Sequence, residues 1–220
     1  MKELYEKEYF SMYSNDPKRD RMYILERDRI LKYKKKGKIL DIGCGLGLFL
    51  KNFDDKKWDK YGVEISEYAS GIARKNNIKL NKFEKAYDFP DNSFDVIVFR
   101  GTIQHLDTPF LVIKKCYDLL KKDGLIVFIS TPNANSIYYK LFNTLPMLDP
   151  TRNFYIPSDI TLRDTLQNFG FEVVEIRYPY LDTPYANPIK DHMYFVLSLI
   201  GFKKKFAFLG NMMECYGRKC

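Results

Sequence analysis

Lys38-Ile-Leu-Asp-Ile-Gly-Cys-Gly-Leu-Gly-Leu-Phe-Leu50 is the stretch whose reading decides the fold. Ile39, Leu40 and Ile42 form an apolar run that reads as a buried strand, and Gly43, Gly45 and Gly47 break it. Leu48, Phe49, Leu50 and Phe53 give the apolar face of a helix expected to follow. Strand, glycine turn and helix form a ligand-cradling loop, because missing Cβ atoms let the backbone approach a bound molecule closely. The spacing is Gly-x-Gly-x-Gly, and Leu48 stands where a dinucleotide-binding fingerprint would carry on without glycine.

Asp41 lies at the carboxyl end of that strand, just before the loop. A carboxylate there repels the pyrophosphate that a helix N-terminus normally attracts, but it suits a ligand carrying positive charge. S-adenosylmethionine (SAM), with a sulfonium and an ammonium, is such a ligand. The next strand ends at Tyr61-Gly-Val-Glu64. An acid about twenty residues beyond the loop is placed to hydrogen-bond ribose hydroxyls.

With Asp41, the three glycines and Glu64, the chain resembles the class I SAM-dependent methyltransferases over roughly residues 38–216. Further marks of the resemblance are Phe89-Pro-Asp-Asn-Ser-Phe-Asp95, Gln104-His-Leu106 and residues 124–133. It implies an α/β, Rossmann-like, doubly wound fold. The sheet would be seven-stranded and mostly parallel, with helices on both faces and an antiparallel last strand. It also implies that the loop, with Cys44 inside it, holds the methionine end of SAM, Asp41 lies near the amino group, Glu64 takes the ribose and Ile65 lies against adenine. Glu84 is the nearest match to the residue that reads the adenine amino group, while Phe83 occupies the position where many members have Asp. Arg100 departs from the family, whose members usually carry something smaller there. It is expected at the cofactor site, where it would bind an acidic acceptor group or pair with Asp107.

The chain has 220 residues, of which 45% are hydrophobic, enough for a full core. We expect a helical arm or lid over residues 1–36 and a SAM-binding domain over 37–220, with 131–157 and 177–205 as substrate-side inserts. The formal charge of +8 permits an acidic partner without requiring one. Nucleic acid is not expected, since no dedicated binding domain is visible. Cys44, Cys116, Cys215 and Cys220 are scattered, which fits reduced thiols in a cytoplasmic protein. The charged N-terminus argues against a secretory signal peptide, and the apolar run 193–202 is too short to cross a bilayer.

Along the chain, Asn15-Asp16-Pro17 starts a helix expected to reach about Tyr33. Helices are expected over 67–76, 110–120 (stopped by Asp123-Gly124) and 158–169, and strands over 78–83, 94–99, 125–130 and 171–176. Their alternation argues for a parallel sheet covered on both faces. Residues 131–157, broken by Pro132, Pro146 and Pro150, read as an irregular connection of the lid or insert kind. Residues 206–216 alternate well enough for a last strand. The run 193–202 before Lys203-Lys-Lys205 reads as a buried helix ending in solvated charges, or as a segment resting on an anionic membrane.

Methyl transfer is an in-line displacement, so the protein must hold the acceptor in line and exclude water. A hydroxyl acceptor gains from a general base. His105, just past the fourth strand, is the candidate base; its other reading is a helix start or cap. Only two histidines are present, with no metal-ligand spacing, so no metal is expected. The Tyr9-Phe10 arm, Thr131-Pro-Asn133 and Gly210-Asn-Met-Met-Glu214 resemble bacterial small-molecule and glycan-modifying methyltransferases. The expected activity is therefore O-methylation of a sugar, nucleotide sugar or surface-glycan precursor. A quinone-type lipid acceptor is the alternative within the family. A non-catalytic SAM-binding regulatory subunit is the alternative outside it.

Overall fold

A computed structural model of the chain describes residues 9–10, 16–81, 87–146, 148–149, 151–202, 204 and 206–220. Helix α1 (Pro17–Tyr33) begins as the sequence dictates: the Asp16 side chain accepts from the Lys18 N–H, and Pro17 fills the first turn, where no donor is needed. Strand β1 (Gly37–Ile42) leads to β2 (Trp58–Val63), α2 (Glu67–Lys75), β3 (Lys79–Asn81) and β4 (Phe94–Arg100). Then follow α3 (Pro109–Leu119), β5 (Leu120–Pro132), α4 (Ile137–Phe142), α5 (Asp159–Asn168), β6 (Phe171–Arg177), α6 (Pro188–Ser198) and β7 (Met212–Lys219).

The sheet has seven strands in the order β3-β2-β1-β4-β5-β7-β6. The first five are parallel to one another, and β7 runs antiparallel between β5 and β6. Side chains alternate across this sheet and sort the core into two layers. Ile97 and Phe99 of β4 join Ile113 and Cys116 of α3 and Leu162 and Leu166 of α5 on one face. Val96 and Val98 join Tyr23 and Ile30 of α1 and Ala73 of α2 on the other. Helices therefore cover both faces, as near-continuous apolar strands require. The strand order reverses between β1 and β4, and ligands of open α/β sheets bind at the carboxyl ends beside such a reversal.

Three expectations need correction. The glycine loop is followed not by an α-helix but by turns and a short 3₁₀ segment, Leu50–Asn52. The Asn52 amide bonds the Leu48 and Phe49 carbonyls at 2.8 and 3.3 Å, satisfying acceptors a longer helix would have used. Asp123-Gly124 does not stop a helix before a separate strand; β5 already starts at Leu120 and carries an irregularity there, with Asp123 at φ 60°. Finally, α6 is not a buried helix, because Ile189, Met193 and Val196 face outward.

Candidate active site

A cavity of about 850 Å³ opens at the carboxyl ends of β1 and β4. The glycine loop (Gly43, Cys44, Gly45) and Asp41 form one wall, Arg100, Gln104 and His105 another, and Glu26 and Tyr23 of α1 a third. Asp149, Arg152 and Asn153, with residues between 177 and 194, supply much of the remainder, so both segments expected to be inserts reach this space.

Asp41 is the acid best placed in this cavity to meet a cationic group. Its carboxyl is 1% exposed, and among the described residues Oδ1 has no hydrogen-bond partner. Burial pushes its pKa up to about 7, against the pull of the Arg100 guanidinium. Gln104 Oε1 is a second buried acceptor in the same cavity without a partner among the described residues. Two such acceptors fit a ligand that brings N–H donors and positive charge.

The loop glycines differ in what they permit. A Cβ on Gly43, at φ 81°, would lie 2.5 Å from Thr102 Oγ1. Among the described residues, one on Gly45 would meet Phe10 alone, at 3.3 Å, which puts Phe10 directly against the loop. Gly47 lies outside the cavity lining, and a Cβ there would run into Ile78 Cδ1 at 2.2 Å. The demand at Gly47 is therefore close packing of loop on α2 and its following turn. The Cys44 thiol is buried against the loop, and burial pushes its pKa well above the usual range.

Glu64 follows β2 and accepts from the Gly45 N–H at 2.9 Å and the Ser66 N–H at 2.8 Å, one bond on each oxygen. Burial raises its pKa, and these backbone bonds oppose the rise. A carboxylate has about four acceptor sites, so lone pairs are left for ribose hydroxyls. Glu64 and Ile65 lie just beyond the cavity lining. Glu84 lies outside the described residues.

Arg100 pairs with Glu26 rather than Asp107: Nε donates to Oε2 at 2.6 Å and Nη2 to Oε1 at 3.2 Å, with the guanidinium over the Tyr23 ring. His105 sits at the end of a 3₁₀ turn, Ile103–His105, rather than at the head of an α-helix. Its Nδ1 lies 2.6 Å from the Arg152 carbonyl, and since a carbonyl only accepts, the proton is on Nδ1. Nε2 then holds the lone pair, with the Gln104 amide at 3.3 Å. Burial holds the imidazole below its ordinary pKa, so the ring is neutral at pH 7.

Sequence reading missed several cavity residues. Arg177 links Glu214 and Asp182 at 3.2 and 2.6 Å, and Tyr180 donates to Asp191 at 2.8 Å. Glu26 sat unremarked among the charges of α1. A polar residue within an apolar last strand was the available signal for Glu214.

A family model described as a methyltransferase domain matches residues 16–176. The ubiquinone biosynthesis O-methyltransferase of Glaesserella parasuis is 31% identical over 116 residues, covering 47% of this chain and 49% of that protein. The enzyme of the same name from Shewanella halifaxensis is 28% identical over 179 residues, covering 73% of this chain and 72% of that one. The chain spans about half the length, or less, of the first curated relatives it matches. Among solved structures, a SAM-dependent methyltransferase from Archaeoglobus fulgidus superposes with a TM-score of 0.64 at 23% identity, covering 91% of this chain and 94% of that one. A buried acid beside a glycine loop, at the switch point of this sheet, accords with these matches: the chain belongs to the methyltransferase domain family and has the class I fold, whose cofactor is SAM.

Proposed function

We propose that the chain transfers a methyl group from SAM to a hydroxyl on a quinone-type, phenolic lipid. The observation that carries the acceptor class is the cavity wall beyond the glycine loop, where Tyr180, Tyr185, Tyr194, Phe206 and Phe208 line the space with aromatic side chains. The curated relatives named for ubiquinone biosynthesis move the reading from the expected sugar to an aromatic lipid.

SAM supplies an electrophilic methyl on a good leaving group. Asp41 and the Gln104 carbonyl oxygen Oε1 would hold the ammonium end, the Gly43–Gly45 backbone the methionine moiety, and Glu64 the ribose. His105 is the base: a phenolic hydroxyl displaces the weakly held Gln104 amide at Nε2 and gives up its proton there as its oxygen bonds the methyl. The Arg152 carbonyl fixes the tautomer that makes this possible. Phe10 and the 149–153 segment exclude water.

The test is incubation of purified protein and SAM with a short-tailed dihydroxyphenyl lipid and, separately, with nucleotide sugars. Mass spectrometry should show a gain of one methyl on the phenol only. Methylation of a nucleotide sugar, with the phenol untouched, would replace this reading.

A further inference from the structure

We propose that α6, with the loop that follows it, docks the protein on an anionic membrane surface. The inference rests on the lipid-acceptor reading for its purpose, while its structural basis is separate. Ile189, Met193, Val196 and Ile200 recur at four-, three- and four-residue spacing and so share one stripe along α6 and the turn continuing it. Their relative exposures are 86%, 48%, 60% and 81%. Leu199 and Phe202 add to them, and the neighbouring α4 exposes Ile137 and Leu141. Single exposed aliphatics need no explanation, but a stripe of them on one helix does.

The other side of α6 is committed to the protein. Tyr138 of α4 donates to Ser198 at 3.2 Å and its ring approaches Phe195, while Lys190, Asp191 and Tyr194 line the active-site cavity. One helix thus walls the acceptor space and turns an apolar face to the outside.

Charge selects the occupant. Residues 136–146 and 187–211 carry five lysines, Lys140, Lys190, Lys203, Lys204 and Lys205, and one acid, Asp191. That acid is buried and accepts from Tyr180 and the Asn187 N–H, so it does not offset them at the surface. An apolar helix face in segments so rich in lysine, with no exposed carboxylate among the described residues of these two segments, is complementary to the headgroup region of an anionic bilayer, where insertion and charge attraction act together.

The full chain, without SAM or acceptor, should co-sediment with phosphatidylcholine–phosphatidylglycerol vesicles. Its affinity for vesicles of phosphatidylcholine alone should be at least about tenfold lower, and added salt should weaken the binding. A Val196→Glu, Ile200→Glu variant should lose about tenfold or more of the binding. Its thermal shift with S-adenosylhomocysteine should stay that of wild type, which shows that it is folded. Absence of sedimentation with either vesicle, or equal sedimentation of variant and wild type, would overturn the proposal. So would a wild-type dimer that ignores vesicles and that the variant dissociates, since the face would then be a self-interface. Vesicle binding without methylation of any phenol would instead remove the acceptor reading and leave the docking face standing.

Discussion

Glu26 of α1 accepts both Nε and Nη2 of Arg100 at the end of β4, a pair whose side chains are 5% and 12% exposed. Both residues line the cavity, so the N-terminal helix is tied to the site by a buried ion pair, with Ser130 also donating to Glu26 at 3.4 Å. Removing one partner of such a pair strands a charge. Glu26→Ala should therefore lower unfolding free energy by about 3–5 kcal/mol in urea titration. Asp28→Ala, which breaks the exposed Arg27–Asp28 pair, should change it by about 0–1 kcal/mol. Similar small losses for both would mean that water reaches Arg100 readily.

Asp41 makes the free protein sensitive to pH. Its folded pKa of about 7 lies above the reference 3.8, so the folded state holds the proton more tightly than the unfolded one. Its contribution to stability is complete below the lower value and is lost as pH rises through the upper one. The melting temperature of wild type relative to Asp41→Asn should fall between about pH 4 and about pH 7. A cationic ligand reverses the preference, because it favours the carboxylate. SAM affinity should drop by up to about tenfold per pH unit below 7, measured by calorimetry, and Asp41→Asn should flatten that slope. A flat wild-type profile would move the ligand's positive charge away from Asp41.

Two glycines of one motif should fail for different reasons. Gly45→Val should abolish the thermal shift caused by SAM, because the added methyls enter the cradle beside Phe10. Its cost in stability is the strain of φ 53°. Gly47→Ala drives a Cβ into Ile78 from a position outside the cavity lining, so it should destabilise by about 1–3 kcal/mol while SAM binding to the folded fraction persists. Equal loss of SAM binding in both would return Gly47 to the ligand.

Much of this was legible in the sequence because it is local. The apolar runs of β1, β4 and β5 and the Asp16-Pro17 helix start are short-range signals that the structure repeats. What failed depended on distance or on face. Asp107, near in sequence, was the partner offered for Arg100, whereas Glu26 arrives from another element across the sheet. The apolar run in α6 reads the same whether it meets a core or the outside, so the sequence left a buried helix and a segment resting on a membrane both open, and only the exposure of Ile189, Met193 and Val196 turns it outward. Where a helix was expected after Gly47, the Asn52 amide takes the Leu48 and Phe49 carbonyls, a side-chain bond that apolar spacing does not reveal.

His105 separates a catalytic from a structural role through its two nitrogens. Nδ1 is committed to the Arg152 carbonyl, and Nε2 keeps a lone pair whose present neighbour, the Gln104 amide, is 3.3 Å away. If Nε2 takes the acceptor proton, His105→Ala should lower kcat by about 10²–10⁴-fold with SAM affinity nearly unchanged. Wild-type kcat should rise with pH through a value below 6.5, since burial lowers the imidazole pKa and only the neutral ring is a base. The variant should lose that limb. A purely structural role predicts a different pattern. Loss of the bond to Arg152 would loosen residues 149–153 at the cavity wall, raising KM for the acceptor while leaving the pH profile of kcat in place. His105→Asn, whose amide can still donate to a carbonyl but offers no basic nitrogen, sharpens the contrast: it should stay slow if the histidine is a base and recover if it is a tether. Turnover of His105→Asn at more than half the wild-type rate, with an unchanged pH profile, would leave His105 as the tether of that wall and methyl transfer resting on alignment alone.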